Sequence, residues 1–239
     1  MKKTNNISIF SSFAKDYLYN EKGNFLSKQK GGPAYYITQA LKKAAVDFKL
    51  EHVFKLKTEI LIKENDEFGK ITAVPVPFKI DFSNIDAPYL LISSLLNEFS
   101  LDGIGDYKGQ IFLDIQGYVR DGQDFGKKKH WRPGKGIQQS IFCLKAGDYE
   151  ISYIPKSFIE IQKEKILLIT KGTKGCDLFV FGKKYSFETQ RVIKTKNTLG
   201  AGDTFFANFV SNYMKTENPL EGIHFATDRV LEFLSSKKI

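Results

Sequence analysis

Short, continuous apolar runs recur through the second half of the chain, separated by stretches of helical length. Strands that are buried on both faces of a parallel sheet need such runs, which are too short for helices. The predicted strands are 89–92, 110–114, 165–170, 178–181 and 185–187, and the predicted helices are 148–163, 201–214 and 219–234. The alternation of strands and helices predicts an α/β fold.

The first half of the chain predicts one strand, one helix and two β-hairpins. These elements are a strand at 7–10, a hairpin turn at 21–24, a helix at 34–46 and a second hairpin from 58–62 and 71–76 around a polar turn at 65–69. The helix begins directly after Gly31, Gly32 and Pro33, and proline is compatible with the first turn of a helix. The hairpins have the turn residues and apolar flanks that two-stranded ribbons require.

Together these elements predict a single α/β domain over 1–239, with a small appendage of β-hairpins at approximately 16–30 and 58–76. Two hairpins alone make a marginal sheet with open edges. We therefore expect the hairpins either to fold onto the main domain or to pair with a second chain, and the symmetric pairing predicts a homodimer.

The composition is that of an ordinary globular protein. Hydrophobic residues make up 42% and charged residues 26% of the 239 positions, which excludes disordered and collagen-like chains. No apolar run reaches the ~20 residues of a transmembrane helix, so no membrane partner is expected. The net charge of +9 favours anions, either phosphorylated small molecules or nucleic acid. Cys143 and Cys176 form neither a disulfide framework nor a zinc motif, so we expect a reducing, cytoplasmic location.

A turn of small residues leads directly into an apolar helix near residue 200. The turn contains Gly200, Ala201 and Gly202 and is followed by Asp203. The first N–H groups of a helix lack intrahelical partners, and the helix dipole is positive at this end, so the segment could bind an anion. Asp203 is placed to take a proton from an attacking hydroxyl group. The alternative is a tight loop with an ordinary first-turn aspartate.

The segment Leu199-Gly200-Ala201-Gly202-Asp203-Thr204-Phe205 resembles the C-terminal signature of the ribokinase-like (PfkB-type) carbohydrate kinases. Other positions resemble further motifs of that family: Asp16 after the first strand, the pair Gly31-Gly32, Glu150 in a Gly-x-x-Glu segment, and a nucleotide loop with Thr170, Gly172 and Gly175. The resemblance covers most of the chain. It implies a ribokinase-like fold, which is a doubly wound, mostly parallel three-layer sheet with a small β-hairpin lid, here built from the hairpins at 16–30 and 58–76.

The resemblance also implies site roles. Asp16, Gly31 and Gly32 would bind the acceptor, while Thr170, Gly172 and Gly175 would bind ATP. Glu150 would organise Mg²⁺ through water, without a direct protein ligand. Asp203 would be the base, and Gly200, Ala201 and Gly202 would hold the phosphoryl charge through their N–H groups.

The implied activity is transfer of the γ-phosphoryl group of ATP to a hydroxyl group of a small polyol, such as a sugar, a nucleoside or an inositol. Three positions depart from the family pattern, because Tyr36 and Gly147 replace asparagines and Asn197 replaces an aspartate. These departures keep a second hypothesis open, a non-catalytic nucleotide- or sugar-binding protein of the same fold.

Two further segments carry candidate chemistry. Gln116 and Arg120 follow the predicted strand 110–114, and ligands bind at the carboxyl ends of strands in open α/β sheets. Arg120 could hold a phosphate and Gln116 could recognise a hydroxyl group, although Arg120 could instead pair with a surface aspartate. The basic run 127–132 could contact nucleic acid, but no nucleic-acid module surrounds it, so we expect no such partner.

Overall fold

The structure is a computed structural model and describes residues 6–63, 66–189, 191–195 and 197–237. Its strands are β1 Ile7–Tyr19, β2 Phe25–Gly31, β3 Phe48–Lys63, β4 Asp66–Ile71, β5 Phe78–Lys79, β6 Tyr89–Ser93, β7 Phe99–Ser100, β8 Gln110–Asp114, β9 Cys143–Gly147, β10 Ile166–Thr170, β11 Cys176–Val180 and β12 Lys183–Phe187. Its helices are α1 Pro33–Lys43, α2 Gln116–Val119, α3 Lys135–Ser140, α4 Lys156–Lys163, α5 Ala201–Thr216 and α6 Pro219–Ser236.

One ten-stranded sheet runs through the molecule in the order β12-β11-β10-β9-β8-β6-β1-β3-β4, with β2 also paired to β1. The central strands from β10 to β3 are parallel, and β2, β4, β11 and β12 pair antiparallel at the periphery. Among the central strands, β6 and β8 are nearly continuous apolar runs, as strands covered on both faces require. The predicted α/β fold with a mostly parallel sheet is confirmed.

Two hydrophobic cores lie on opposite faces of this sheet. On one face, Ile37 of α1 and Phe206 and Phe209 of α5 are fully buried against the strands. On the other face, Phe158 of α4 packs into a second core with strand residues that include Leu113. The arrangement is therefore three layers, with helices above and below the sheet.

Strand β1 extends well beyond the predicted 7–10 and changes neighbours along its length. Its first part, from Ile7 to Ser11, pairs with β6, and its second part, from Ala14 to Tyr19, pairs with β2. Strand β3 follows β1 in parallel over both parts. The prediction that Asp16 follows the first strand is therefore wrong, because Asp16 lies inside the extension of β1.

The second hairpin also differs from its prediction. Residues 66–71 form β4 and pair with the end of β3, so the turn predicted at 65–69 is largely strand, and residue 65 itself lies outside the described residues. Residues 72–76, predicted as strand, follow β4 without strand pairing. Proline at positions 75 and 77 removes the donors that a ladder would need. The two antiparallel pairs thus form one four-stranded extension, in the order β2-β1-β3-β4.

Candidate active site

One pocket joins the extended β1–β3 region to the beginning of α5. Asp16, Thr58 and Ile60 line it from the strands, and Gly200, Gly202 and Asp203 line it from the start of the helix. Its other lining residues are Gly32, Pro33, Tyr36, Leu95, Gln116, Arg120, Phe125 and Leu199. The pocket therefore brings together most of the predicted acceptor residues, part of the predicted anion loop (residues 199–203) and the candidate base. Gly31 and Ala201 do not line it.

The Gly-Gly pair makes room for the carboxylate of Asp16. A Cβ atom on Gly31 would overlap this carboxylate, and one on Gly32 would lie 2.5 Å from the Ala14 nitrogen. Gly32 has a φ of 78°, which glycine adopts without strain. Both positions therefore hold α1 close to β1, with Asp16 lying across Gly31.

Thr58 is a partner of Asp16 that the sequence did not indicate. Asp16 and Thr58 are register neighbours on β1 and β3, and the Thr58 hydroxyl group donates to Asp16 Oδ1 at 2.7 Å. Both side chains are buried. This hydrogen bond fixes the orientation of the Asp16 carboxylate. A residue that is predicted to hold a hydroxyl group of the acceptor needs such a fixed orientation.

At the beginning of α5, a tight turn exposes backbone donors. Gly200 has a φ of 80°, and the Thr204 N–H closes the first helical turn onto the Gly200 carbonyl at 2.9 Å. The Gly202 N–H group precedes this bond, in the first turn of α5, so it has no carbonyl partner four residues back within the helix. A helix terminus of this kind favours a phosphate group.

The Ala201 N–H does not belong to this set of donors. It donates to the Thr198 carbonyl oxygen at 3.0 Å and closes the turn before the helix. The prediction that Ala201 holds the phosphoryl charge through its N–H group is therefore not supported by the structure, and its role is to shape the turn.

A buried lysine lies below this turn. Lys145, on β9, is 3.4 Å from the position that a Cβ atom on Gly202 would take, and it forms an ion pair of 2.8 Å with Asp114. Burial alone would lower the pKa of Lys145, but the carboxylates of Asp114, Glu150 and Asp203 outweigh burial and raise it. The lysine therefore keeps a positive charge close to the turn before α5.

Gln116 and Arg120 lie together at the wall of the pocket. With its amide oxygen toward the guanidinium group, Gln116 accepts hydrogen bonds from both terminal nitrogens of Arg120, at 3.1 and 3.2 Å. Arg120 is buried, and its guanidinium carbon is 4.6 Å from the centre of the Phe125 ring. The alternative that places Arg120 on the surface is therefore wrong.

The residues predicted to bind the nucleotide lie at the end of β10 and in the loop that leads to β11. Thr170 ends β10, and its carbonyl oxygen accepts from the Asp148 N–H at 2.9 Å, which ties the loop after β9 to the loop after β10. Gly172 and Gly175 have φ values of 56° and 94°, so the loop between them depends on glycine. Thr170, Gly172 and Gly175 do not line the pocket described above. They lie where β10 and β11 pair, towards one edge of the sheet.

Glu150 begins a short 3₁₀ turn after β9 and is buried. Its Oε2 accepts from the Gly147 N–H at 2.6 Å, and a Cβ atom on Gly147 would lie 3.2 Å from the same oxygen. Among the described residues, no three His, Cys, Asp or Glu side chains form a group that could hold a metal ion. Mg²⁺ is commonly held by phosphate oxygens and water with few protein ligands, so a single carboxylate at this position fits the predicted water-mediated role.

Two residues that depart from the family pattern, Tyr36 and Asn197, contact the turn before α5. The ring of Tyr36 packs directly against Gly200, where a Cβ atom would overlap it. Asn197 accepts from the Leu199 N–H through Oδ1 at 3.1 Å and donates from Nδ2 to Gln29 at 3.3 Å. Tyr36 and Asn197 therefore support the shape of the turn before α5.

Three solved structures of ribokinase-family proteins share this architecture. A pyrophosphate-dependent kinase in the ribokinase family, complexed with a pyrophosphate analogue and myo-inositol, is 18% identical, with a TM-score of 0.68 over 93% of this chain and 92% of that chain. Arabidopsis thaliana ribokinase, complexed with ribose and ATP, is 15% identical, with a TM-score of 0.68 over 97% and 99% of the two chains. The chain has the ribokinase-like fold.

A third ribokinase-like structure, the nucleoside kinase of Methanocaldococcus jannaschii, is 16% identical, with a TM-score of 0.64 over 98% and 99% of the two chains. Residues 153–228 match the model of the pfkB family carbohydrate kinases, and this stretch contains both the predicted nucleotide loop and the turn before α5. The family resemblance found in the sequence is thus confirmed. No curated protein sequence matches the chain significantly. Among the described residues, no helix of this ribokinase-like protein is long and apolar enough to cross a membrane.

Proposed function

We propose that this ribokinase-like protein is a carbohydrate kinase that transfers the γ-phosphoryl group of ATP to a hydroxyl group of a small polyol. The observation that carries the proposal is the shared pocket, in which Asp16 and the start of α5 line the same space. An acceptor held by Asp16 would lie next to a phosphate held by α5. Phosphoryl transfer depends mainly on such positioning and on charge stabilisation.

In this proposal, Asp203 accepts the proton of the attacking hydroxyl group. It lies in the first turn of α5 and lines the pocket on the side of the anion loop. The N–H groups of Gly200 and Gly202 stabilise the charge on the transferred group from preorganised positions. Lys145 adds a fixed positive charge from below the turn.

The acceptor end of the pocket combines polar and apolar surfaces. Asp16 and Arg120 supply an acceptor and a donor of hydrogen bonds, while Ile60 and Phe125 supply apolar walls. A ring with several hydroxyl groups presents both kinds of surface, which supports a sugar, a nucleoside or an inositol as the acceptor class. Mg²⁺, when bound, would neutralise the phosphate oxygens, and Glu150 would hold it through water.

A coupled phosphorylation screen tests the proposal. Sugars, nucleosides and inositols are offered with ATP and, in parallel, with pyrophosphate, because one structural neighbour is a pyrophosphate-dependent kinase and another was solved with ATP. We expect turnover with at least one polyol and loss of that turnover in Asp203→Asn. Binding of a nucleotide or a polyol without turnover by any acceptor would instead support the non-catalytic binding protein.

A further inference from the structure

The side chain of Lys237, which follows α6 directly, reaches the anion loop. Its ammonium group donates to the Leu199 carbonyl oxygen and lies 3.4 Å from Asn197 Oδ1. The same nitrogen is 5.3 Å from the centre of the Tyr36 ring and 4.7 Å from that of Phe233. Two oxygen atoms and two aromatic faces thus surround one cation, a combination that stabilises ammonium groups.

The backbone around Lys237 is held to the same loop. Thr195 Oγ1 donates to the Lys237 carbonyl oxygen at 3.3 Å and accepts from the Asn197 N–H at 3.3 Å. The rings of Tyr36 and Phe233 meet edge to face at 5.8 Å. The end of α6 is therefore fixed against the residues that precede α5, and Lys237 is held in place at both its backbone and its side chain.

The carbonyl group that Lys237 contacts belongs to the peptide unit of the proposed phosphate site. The C=O of Leu199 and the N–H of Gly200 are the two ends of one trans peptide unit, and they point in opposite directions. An ammonium group on the oxygen therefore orients this unit with its N–H facing away from Lys237, and Gly200 lines the pocket. A positive charge on the carbonyl oxygen also polarises the unit and makes the N–H a stronger donor.

We propose that Lys237 is a positioning residue that orients and polarises the Leu199–Gly200 peptide so that the Gly200 N–H binds the phosphoryl group. It acts through the backbone and does not touch the substrate. The inference rests on the proposed function only in taking the start of α5 as the phosphate site. In this proposal, the phosphate site includes the ammonium group of Lys237, which reaches it from the C-terminal end of α6.

The first test needs no turnover. Protein labelled with ¹⁵N-glycine is titrated with inorganic phosphate, and the Gly200 amide signal is followed in the wild type, in Lys237→Met and in Arg229→Met. Methionine keeps an apolar stem and removes the charge. Arg229 is the matched control, because it lies on the same helix, 5.0 Å from the Phe225 ring and 2.9 Å from Glu232.

We expect phosphate to bind about tenfold more weakly to Lys237→Met than to the wild type, as the loss of a charge-assisted hydrogen bond predicts. Arg229→Met should bind phosphate like the wild type. Equal phosphate affinity in Lys237→Met and the wild type would overturn the proposal. So would an equal loss in both variants, because that result would indicate a general effect of net charge.

The second test uses turnover and chemical rescue. In Lys237→Ala, kcat should fall about tenfold while the acceptor KM stays unchanged. Ammonium chloride should then restore much of the kcat, whereas tetramethylammonium chloride at the same ionic strength should not, because that ion is too large to replace the lysine ammonium group. A fall in Tm together with a kcat that ammonium does not restore would overturn the proposal and assign Lys237 a structural role. If the wild type phosphorylates no acceptor, the proposed function fails, and the phosphate titration still decides the role of Lys237.

Discussion

Lys145 Nζ lies 2.8 Å from Asp114 Oδ2, and both side chains are almost completely buried. The two residues are register neighbours, Asp114 at the carboxyl end of β8 and Lys145 in the middle of β9. Open α/β sheets bind ligands at the carboxyl ends of their strands. Burial and the nearby Glu150 raise the pKa of Asp114, while Lys145 acts in the opposite direction. Removal of one partner of a buried ion pair strongly destabilises the folded protein, because the other partner then remains as a buried charge without compensation.

We therefore predict that Lys145→Met destabilises the protein by about 3–5 kcal/mol, measured by urea unfolding, and also reduces turnover. The double variant Lys145→Met/Asp114→Leu should recover most of the stability but not the turnover, because it removes both charges and still lacks the cation below Gly202. Lys163→Met, which breaks an exposed pair with Glu160, is the control and should cost less than about 1 kcal/mol. Recovery of turnover in the double variant would show that Lys145 acts only on stability.

For Asp203, the proposed base, we predict that Asp203→Asn folds and binds ATP but loses about 10²–10⁴ in kcat. The change keeps the size of the side chain and removes the proton acceptor. Asp228→Asn, on the exposed side of α6, should turn over like the wild type. Steady-state kinetics and a nucleotide titration measure both effects, and near-normal turnover in a folded Asp203→Asn would exclude the proposed role.

For Gly31, we predict that Gly31→Ala raises the acceptor KM by about tenfold or more, as the loss of a hydrogen bond to a charged group does. The added methyl group would overlap the Asp16 carboxylate and displace it from Thr58. The ATP KM should change little. Gly136→Ala is the matched control, because a Cβ atom there meets nothing within 4 Å. An unchanged acceptor KM in Gly31→Ala would show that Asp16 does not hold the acceptor.

The sequence predicted those parts of the site that depend on local backbone chemistry. The turn before α5 and the Gly31-Gly32 pair were identified because glycine permits conformations and close contacts that other residues do not. Supporting partners were missed because they are distant along the chain. Thr58 is 42 positions from Asp16, and no local pattern in a long strand marks one threonine as its partner.

Strand β9 was missed for a different reason. Its sequence, Cys-Leu-Lys-Ala-Gly, has a lysine at its centre, which interrupts the apolar run that identified the neighbouring strands. Lys145 is tolerated there because Asp114 meets it from β8. Likewise, the helix predicted over 148–163 is divided into a 3₁₀ turn and α4, because Pro155 lacks the N–H group that a continuous helix needs.

We still predict a homodimer that forms through the lid hairpins. The structure shows that a substitution on β2 tests this prediction better than one at Ile60. Ile60 packs against Leu18 and Leu199 of the same chain, so a charge at position 60 would also disturb the fold. On β2, Phe25 and Leu26 are 56% and 53% exposed. Leu26→Lys should convert a dimer to a monomer in sedimentation at micromolar protein, and Val192→Lys, an equally exposed position outside the lid, should not. A wild type that sediments as a monomer with ATP and acceptor present would exclude this dimer.

Asp177 on β11 connects the predicted nucleotide loop to the sheet, and it makes the stability of the protein depend on pH. Its carboxylate lies 2.7 Å from Lys171 Nζ and 2.9 Å from Lys184 Nζ. Burial alone would raise the pKa of Asp177, but hydrogen bonds from Lys171, Lys184 and Ser186 outweigh burial and lower it to about 2. The pKa of Asp177 is therefore lower in the folded than in the unfolded protein. Between about pH 4 and pH 2, the unfolded protein consequently binds more protons than the folded protein.

The stability supplied by Asp177 is therefore fully present above about pH 4 and is lost as the pH falls towards about 2. We predict that Asp177→Asn lowers the free energy of unfolding by about 1–2 kcal/mol at pH 6, after allowance for solvent screening, and that the two proteins converge in acid. The ATP KM should rise as well, because Lys171 begins the loop that Gly175 closes through a 2.8 Å backbone hydrogen bond. Urea unfolding from pH 2 to pH 7, with Asp228→Asn as the control, measures the difference. A constant gap between Asp177→Asn and the wild type across this range would show that the carboxylate stabilises the loop by packing alone, without its charge.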